Sequence, residues 1–245
     1  MTALLYLENA YLKEMEATIS EVTKEVDGQQ RWLLVLDKTI FYPRGGGQAT
    51  DQGLLFTDTW KGKVSQVLLK EGKILHYVEG DQPPPIGTLV KGTLDWNRRY
   101  LNMRLHSAGH VVDFALYLLG YSPSPLMPFK GEHEKKPVIY YQGTIEEDFQ
   151  EELEKKANEL VAQDLPFSFR LVDHQELERE AIYLQPGLPK NKPLRLLTLK
   201  GVGCVADGGT QVHSTSEVGH ISILPIEKKD GTTLVRYRIN SLENS

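Results

Sequence analysis

The spacing of hydrophobic and polar residues along the chain changes near residue 95. Before that point the apolar residues fall in short runs, separated by Gly, Asp and Pro. The runs predicted to form strands are 17–25, 31–42 (interpreted as a strand pair joined near Asp37–Lys38), 53–60, 63–70, 73–80 and 89–96. Several short strands at this spacing predict a small β-barrel or sandwich.

After Trp96 the sequence contains both helical and strand patterns. One apolar stripe at helical spacing ends at Gly120 and Pro123 and contains Leu101, Leu105, Val112, Leu116 and Leu119. The pattern then predicts helices at 146–164 and 174–182, strands at 137–144, 167–173 and 194–200, and a hairpin around Asp230–Gly231. We therefore expect an α+β protein, with a β-barrel-like domain at 1–95 and an α+β domain with an antiparallel sheet and helices at 96–245.

Composition narrows the possible settings. The chain has 245 residues and a formal net charge of −5, which argues against wholesale non-specific nucleic-acid binding but not against a local basic face. Cys204 is the one cysteine, so no internal disulfide is possible, and a cytoplasmic protein is expected. No run approaches the ~18 apolar residues of a membrane span, and the first residues do not follow the order of a signal peptide.

The sequence HSAGH places His106 and His110 four residues apart on one helical face, close enough to bind one ion. Zinc metalloproteases carry Glu directly after the first histidine, whereas Ser107 stands here, so a protease is disfavoured. Two ordinary histidines are the alternative. The small residues between them would let another backbone or a ligand approach the helix.

Basic residues lie just before this pair, at Arg98, Arg99 and Arg104. An arginine cluster beside a metal helix suits a phosphate-bearing partner, while a solvated basic face is the simpler interpretation.

Two further stretches carry possible chemistry. Residues 203–221 contain three possible metal ligands, Cys204, Asp207 and His213. They also contain the pair Gly208–Gly209, whose backbone amides could bind an anion or a carbonyl, followed by the hydroxyl of Thr210. A glycine-rich connection with a buried cysteine is the alternative.

Residues 41–53 hold three consecutive glycines, flanked by Arg44 and Gln48, and lack the Lys-Ser/Thr of a phosphate-binding P-loop. We interpret them as a binding loop, with a flexible hairpin as the alternative.

Taken in order, the three stretches FYPRGGGQATDQG, LHSAGHVV and ADGGTQVHSTSEVGHI resemble the alanyl-tRNA editing proteins of the AlaX family and the editing region of alanyl-tRNA synthetase. The resemblance covers roughly residues 5–225. It implies an aminoacyl-tRNA deacylase that acts in trans on tRNA-Ala misacylated with serine or glycine, with an editing domain at 96–245. It also implies zinc held by two helix histidines, a cysteine and a third histidine.

The match to the family's zinc ligands is incomplete. His106 and His110 carry over, but Asp207 stands at the cysteine position and Gln211 at the histidine position. Three outcomes are open: Asp207 replaces the thiolate, Cys204 or His213 enters from outside the register, or no metal binds and Gln211 hydrogen-bonds the substrate. We favour Asp207 as the third ligand.

The resemblance also suggests roles for other residues. Gly208, Gly209 and Thr210 would supply oxyanion donors, Gln48 would sense the serine hydroxyl, and Arg44, Arg98, Arg99 and Arg104 would contact tRNA. Rival interpretations are a degenerate editing fold that binds tRNA or another partner without hydrolysis, a metal-dependent hydrolase of small molecules, and an editing enzyme for another misacylated tRNA. The related threonyl-tRNA editing domain shares the histidine helix, but the Gly-Gly-Gln loop favours the alanine branch.

Overall fold

The computed structural model describes residues 2–25 and 31–240 and divides the chain into two compact units, Met1–Asn102 and Met103–Ser245. The elements of the first unit are β1 (Ala3–Leu4), α1 (Leu5–Glu8), β2 (Glu14–Lys24), β3 (Trp32–Leu36), β4 (Lys38–Thr39), β5 (Gly53–Phe56), β6 (Lys61–Lys70), β7 (Lys73–Glu79) and β8 (Leu89–Leu94). A long helix, α2 (Trp96–Leu118), continues across the unit boundary. The predicted boundary at residue 95 lies one residue before this helix.

Six strands of the first unit close into a barrel in the order β2-β3-β7-β6-β5-β8, with antiparallel pairing throughout. The alternating side chains of β2 explain the closure, because every second residue points inward. Ala17 and Ile19 are fully buried there, and Leu34, Leu36 and Leu55 from other strands join them in the same apolar core. The predicted barrel is confirmed.

The predicted strand pair at 31–42 is wrong. β3 pairs with β2 and β7, whereas the short β4 pairs in parallel with β1. Asp37 explains the change of direction: its carboxylate accepts from the Thr18 amide at 2.7 Å, and its carbonyl accepts from the Ala3 amide at 2.8 Å. These contacts turn the chain away from a hairpin.

The second unit contains two antiparallel sheets with helices. Its elements are β9 (Met127–Glu132), β10 (Val138–Gln142), α3 (Gln150–Ala162), β11 (Phe167–Val172), α4 (His174–Glu180), β12 (Leu194–Leu199), β13 (Gly203–Ala206), a 3₁₀ turn (Thr215–Val218), β14 (Ile221–Ile223), β15 (Glu227–Lys229) and β16 (Thr232–Ile239). One sheet has the order β14-β16-β10-β9 with β15 also paired to β16, and the other has the order β11-β12-β13.

The predicted α+β class is confirmed, with differences at element ends. The hairpin turn at Asp230–Gly231 has positive φ at both residues, as a tight two-residue turn requires. Helix α3 begins four residues later than predicted, and β9 was not predicted. No helix in the described ranges is long and apolar enough to cross a membrane.

Candidate metal site

Helix α2 places the two histidines of HSAGH. Asp95 precedes the helix and accepts from the Arg98 amide at 3.1 Å, which satisfies one of the free N–H groups at the helix start. At the other end, Gly120 has a φ of +79° and ends the helix as predicted. From Asn102 to Leu116 nearly every residue is buried or half-buried, so this stretch is enclosed rather than amphipathic. Leu101, predicted on the apolar stripe, is instead 47% exposed.

Asp207 follows directly after β13 and faces the two histidines. Its Oδ1 lies 3.4 Å from His106 Nε2 and 3.6 Å from His110 Nε2. One ligand atom from each of the three residues lies within 4.8 Å of the others. The geometry therefore brings together the three residues favoured from sequence.

The protonation states of His106 and Asp207 suit metal binding. Burial lowers the pKa of His106 to about 4, although Asp207 acts in the opposite direction. Burial also raises the pKa of the Asp207 carboxyl, but the two imidazoles and the Gly209 amide outweigh it and hold that pKa well below its usual range. A neutral His106 and an ionised Asp207 are the forms that ligate a cation.

One atom of the cluster has no hydrogen-bond partner. His110 Nε2 is buried and unsatisfied, although it faces a carboxylate. Buried polar atoms nearly always have hydrogen-bond partners. A bound metal ion would satisfy this nitrogen. Two imidazoles and one carboxylate are ligands that zinc and similar divalent ions accept. The three residues fit a divalent metal.

Gln211 lies beside the triad and contacts Asp207 directly. It is 3% exposed, its Nε2 donates to Asp207 Oδ2 at 3.0 Å, and its Oε1 accepts from Ser107 Oγ at 2.5 Å. The same Ser107 Oγ accepts from the Val212 amide at 3.1 Å. Gln211 thus contacts a residue of the triad and a residue of the histidine helix.

The predicted oxyanion donors lie in the turn after Asp207. The Gly209 amide donates to Asp207 Oδ1 at 3.0 Å, which commits it to holding the carboxylate. Gly208 is exposed and has open space around its Cα, and Thr210 is fully buried. Arg195 donates to the Gly209 carbonyl and lies 3.4 Å from the centroid of the Phe169 ring, which secures the turn from the neighbouring strand.

A third imidazole packs on the triad and was missed by the sequence analysis. The His133 ring stacks on that of His106, with centroids 4.7 Å apart. Its Nδ1 lies 2.6 Å from the Tyr237 hydroxyl, which donates to the Leu105 carbonyl at 2.9 Å, so Nδ1 carries the proton. A Cβ on Gly109 would lie 2.5 Å from His133 Cε1. The small residues of HSAGH were predicted to admit another backbone or a ligand, whereas at Gly109 the close approach is made by this side-chain ring.

Asp113, one helical turn after His110, is a second buried carboxylate that the sequence analysis missed. Tyr141 donates to its Oδ1 at 3.2 Å, and Tyr183 donates to its Oδ2. Burial raises the pKa of Asp113 to about 6, against the lowering effect of the Tyr183 hydrogen bond. No pattern in the sequence marked this residue, because its partners come from β10 and from the segment after α4.

Comparison with known proteins shows where this arrangement belongs. A family model described as tRNA synthetases class II (A) matches residues 4–98. Alanyl-tRNA editing protein AlaX-M of Methanosarcina barkeri is 32% identical over 239 residues, which cover 94% of this chain and 95% of that protein. The chain belongs to the alanyl-tRNA editing protein family. The resemblance drawn from the three motifs is confirmed.

Some longer proteins contain a region that is similar to this chain. AlaX-L of Pyrococcus horikoshii is 34% identical over 233 residues, which cover 94% of this chain and 55% of that protein. The alanine–tRNA ligase of Methanopyrus kandleri is 33% identical over 219 residues, which cover 88% of this chain and 24% of that ligase. Matches to the ligase and to the editing proteins extend along nearly the same share of this chain.

The other predicted ligands of this editing-family chain lie outside the triad. Cys204 is on β13, where its Sγ lies 3.2 Å from Thr198 Oγ1. His213 is exposed, and its amide donates to Glu217 Oε1. The cluster found among residues 2–25 and 31–240 includes neither, so the geometry favours Asp207 over both alternatives.

The glycine loop of the first unit is a tight turn. Gly45 and Gln48 pair through their backbones, and the two residues between them, Gly46 and Gly47, have φ of +55° and +76°. Only glycine adopts these values at low cost, which accounts for the repeated glycines. Gln48 is fully buried.

Two of the four arginines predicted to bind tRNA are buried and bound to groups of the protein itself, so the prediction is corrected for these two. Arg99 is 0% exposed and binds the Asp51 carboxylate, and Arg104 is 2% exposed and donates to the carbonyls of Glu217, Val218 and Asn240. A phosphate contact needs surface that neither guanidinium has. Arg98 is half-buried and donates to the Thr50 carbonyl, while Arg44 is exposed.

Proposed function

We propose that this chain is a trans-acting deacylase that hydrolyses tRNA-Ala misacylated with serine or glycine. The observation that carries the proposal is the His106–His110–Asp207 cluster, with its unsatisfied His110 Nε2, in a chain 32% identical to an alanyl-tRNA editing protein along nearly its whole length. The partner is misacylated tRNA-Ala, and the reaction is hydrolysis of the ester that joins the amino acid to a ribose hydroxyl.

Zinc is the metal proposed for the triad. When bound, it supplies a Lewis acid that activates water or binds the substrate's amino group. His106 and His110 would offer neutral nitrogens, and Asp207 would offer one carboxylate oxygen. With three protein ligands such a site keeps a position open, which is typical of catalytic rather than structural zinc.

The chain's own residues would complete the reaction around the triad. Because the Gly209 amide is held by Asp207, we assign the oxyanion donors to Gly208 and Thr210. Gln48 lies in the first unit and is fully buried, so its role in sensing a serine hydroxyl, a contact that alanine cannot make, stays a prediction. Arg44 and Arg98 are the arginines that we keep as phosphate contacts.

The test is hydrolysis of Ser-tRNA-Ala, Gly-tRNA-Ala and Ala-tRNA-Ala by the full chain with zinc supplied. We expect the first two substrates to be hydrolysed and the third to be spared. Gln48→Ala and Thr210→Val should slow Ser-tRNA-Ala hydrolysis while the chain stays folded by circular dichroism. Binding of tRNA-Ala without hydrolysis would instead support a degenerate editing fold, and unchanged rates in both variants would remove their assigned roles.

A further inference from the structure

The amide of Gln211 has only one favourable orientation. Ser107 Oγ accepts from the Val212 amide, so its own proton is available for Gln211 Oε1 at 2.5 Å. The opposite end of the amide lies 3.0 Å from Asp207 Oδ2. If the amide were reversed, its oxygen would face a carboxylate oxygen at that distance, and two acceptors without a proton between them repel each other.

The two oxygens of Asp207 therefore have different partners. Oδ1 faces both histidines and accepts from the Gly209 amide at 3.0 Å, whereas Oδ2 accepts from Gln211 Nε2. Oδ2 is also fixed indirectly to the histidine helix, since Gln211 is held by Ser107, which lies next to His106 in sequence. The carboxylate cannot rotate without breaking contacts on both oxygens.

We infer that Gln211 is a positioning residue that makes Asp207 a one-oxygen metal ligand, so that the site has three protein ligands. This inference rests on the proposed metal function of the triad. An amide can ligate a metal only through its oxygen, and Gln211 Oε1 is already bound to Ser107. The residue at the family's histidine position thus orients a ligand and is not a ligand itself.

The role of Gln211 is tested by measuring how its substitution changes metal affinity in the wild type and in the Asp207→Cys variant. Zn²⁺ and Co²⁺ affinities are measured by competition with a chromophoric chelator, with no tRNA present. Gln211→Met is introduced into the wild type and into Asp207→Cys, where a thiolate replaces the carboxylate and offers no second oxygen to orient. The matched control is Gln142→Met, on an exposed position of β10.

In the wild-type background we expect Gln211→Met to weaken metal affinity about 10–100-fold, the usual effect of removing a partner of a metal ligand. In the Asp207→Cys background the same change should have less than about a twofold effect, because coupling vanishes when the shared partner is gone. Gln142→Met should change neither affinity. An equal loss in both backgrounds, or no loss in either, would overturn the inference.

A second measurement covers failure of the cysteine variant to bind metal. The Co²⁺ absorption spectrum reports coordination number, and we expect no fall in that number in Gln211→Met, in which Asp207 Oδ2 is released. Loss of a ligand in the variant would show that Gln211 itself ligates. Absence of saturable metal binding by the wild type also overturns the inference. If metal binds as expected but Ser-tRNA-Ala is not hydrolysed, the proposed function fails and the inference stands.

Discussion

Each unit of the chain contains a histidine with a buried ring nitrogen, and the two histidines differ in how their nitrogens are satisfied. In the barrel, Thr39 Oγ1 accepts from the Phe41 amide and donates to His76 Nε2 at 2.8 Å, while His76 Nδ1 donates to the Leu34 carbonyl at 3.1 Å. In the second unit, His110 Nε2 faces Asp207 with no hydrogen bond. Burial alone therefore does not mark a functional histidine.

The pKa values lead to the same conclusion. Burial lowers the pKa of His76 to about 4 and that of His106 to about 4 as well, so the direction of the shift does not separate the two regions. Convergence separates them: the nitrogens of His106 and His110 point at one carboxylate oxygen, whereas the nitrogens of His76 point at two different groups of the barrel. Nitrogens that converge on one carboxylate oxygen, one of them with no hydrogen-bond partner, indicate a ligand.

The largest expected effect comes from exchanging each histidine for leucine. His110→Leu should abolish saturable metal binding and Ser-tRNA-Ala hydrolysis, because it removes one of the three proposed metal ligands. His76→Leu should keep metal binding but lower the free energy of unfolding by about 1–3 kcal/mol, because it leaves the Thr39 hydroxyl and the Leu34 carbonyl without their hydrogen-bond partner. Metal titration and urea unfolding with chelator measure both; saturable metal binding by His110→Leu would break the comparison.

The next largest effect tests a fully satisfied charge of the first unit. Arg99 and Asp51 are 0% and 1% exposed, and Arg99 also donates to the carbonyls of Ala10 and Ile40. Arg99→Met should lower the free energy of unfolding by about 3–5 kcal/mol, because it leaves Asp51 buried without its partner.

The exposed pair Lys73–Glu21, with side chains 52% and 46% exposed, supplies the control. Lys73→Met should cost at most about 1 kcal/mol. Equal losses in Arg99→Met and Lys73→Met would argue against a structural role for Arg99.

Local patterns were enough to predict the barrel strands, the long helix and the Asp230–Gly231 turn, since each depends on residues near in sequence. The motifs also led to His106, His110 and Asp207. Arg99 and Arg104 were misassigned because burial depends on contacts 48 and 114 residues away, with Asp51 and Val218, which sequence spacing does not reveal. His133 was missed for the same reason: its signal is the absence of a Cβ at Gly109, on another element.

A smaller effect concerns pH and the barrel histidine. Burial lowers the pKa of His76 from 6.5 to about 4, so the unfolded chain binds a proton below pH 6.5 that the folded chain does not. The free energy of unfolding should therefore fall as pH drops from 6.5 towards 4, by up to about 3 kcal/mol from this group. The difference between wild type and His76→Gln, followed by urea unfolding across that range, isolates the contribution. A difference that stays flat would contradict the buried neutral ring.

The smallest effect concerns Gly109, where helix propensity and packing have opposite signs. In an ordinary helix interior Gly→Ala stabilises by about 1 kcal/mol. Here the new Cβ would lie 2.5 Å from His133 Cε1 and 2.9 Å from the Tyr237 hydroxyl, so overpacking should reverse the sign and cost about 1–3 kcal/mol.

The His133→Ala background removes the ring that Gly109→Ala would strike. In that background the same change should cost less than in the wild type or become stabilising. Urea unfolding of the four chains with chelator present measures the cycle, and Gly208→Ala, where nothing lies within 4 Å of the added Cβ, controls for glycine substitution itself. A stabilising Gly109→Ala in the wild type would mean that His133 can leave its place beside His106 at no cost, and the third imidazole would lose its claim to support the triad.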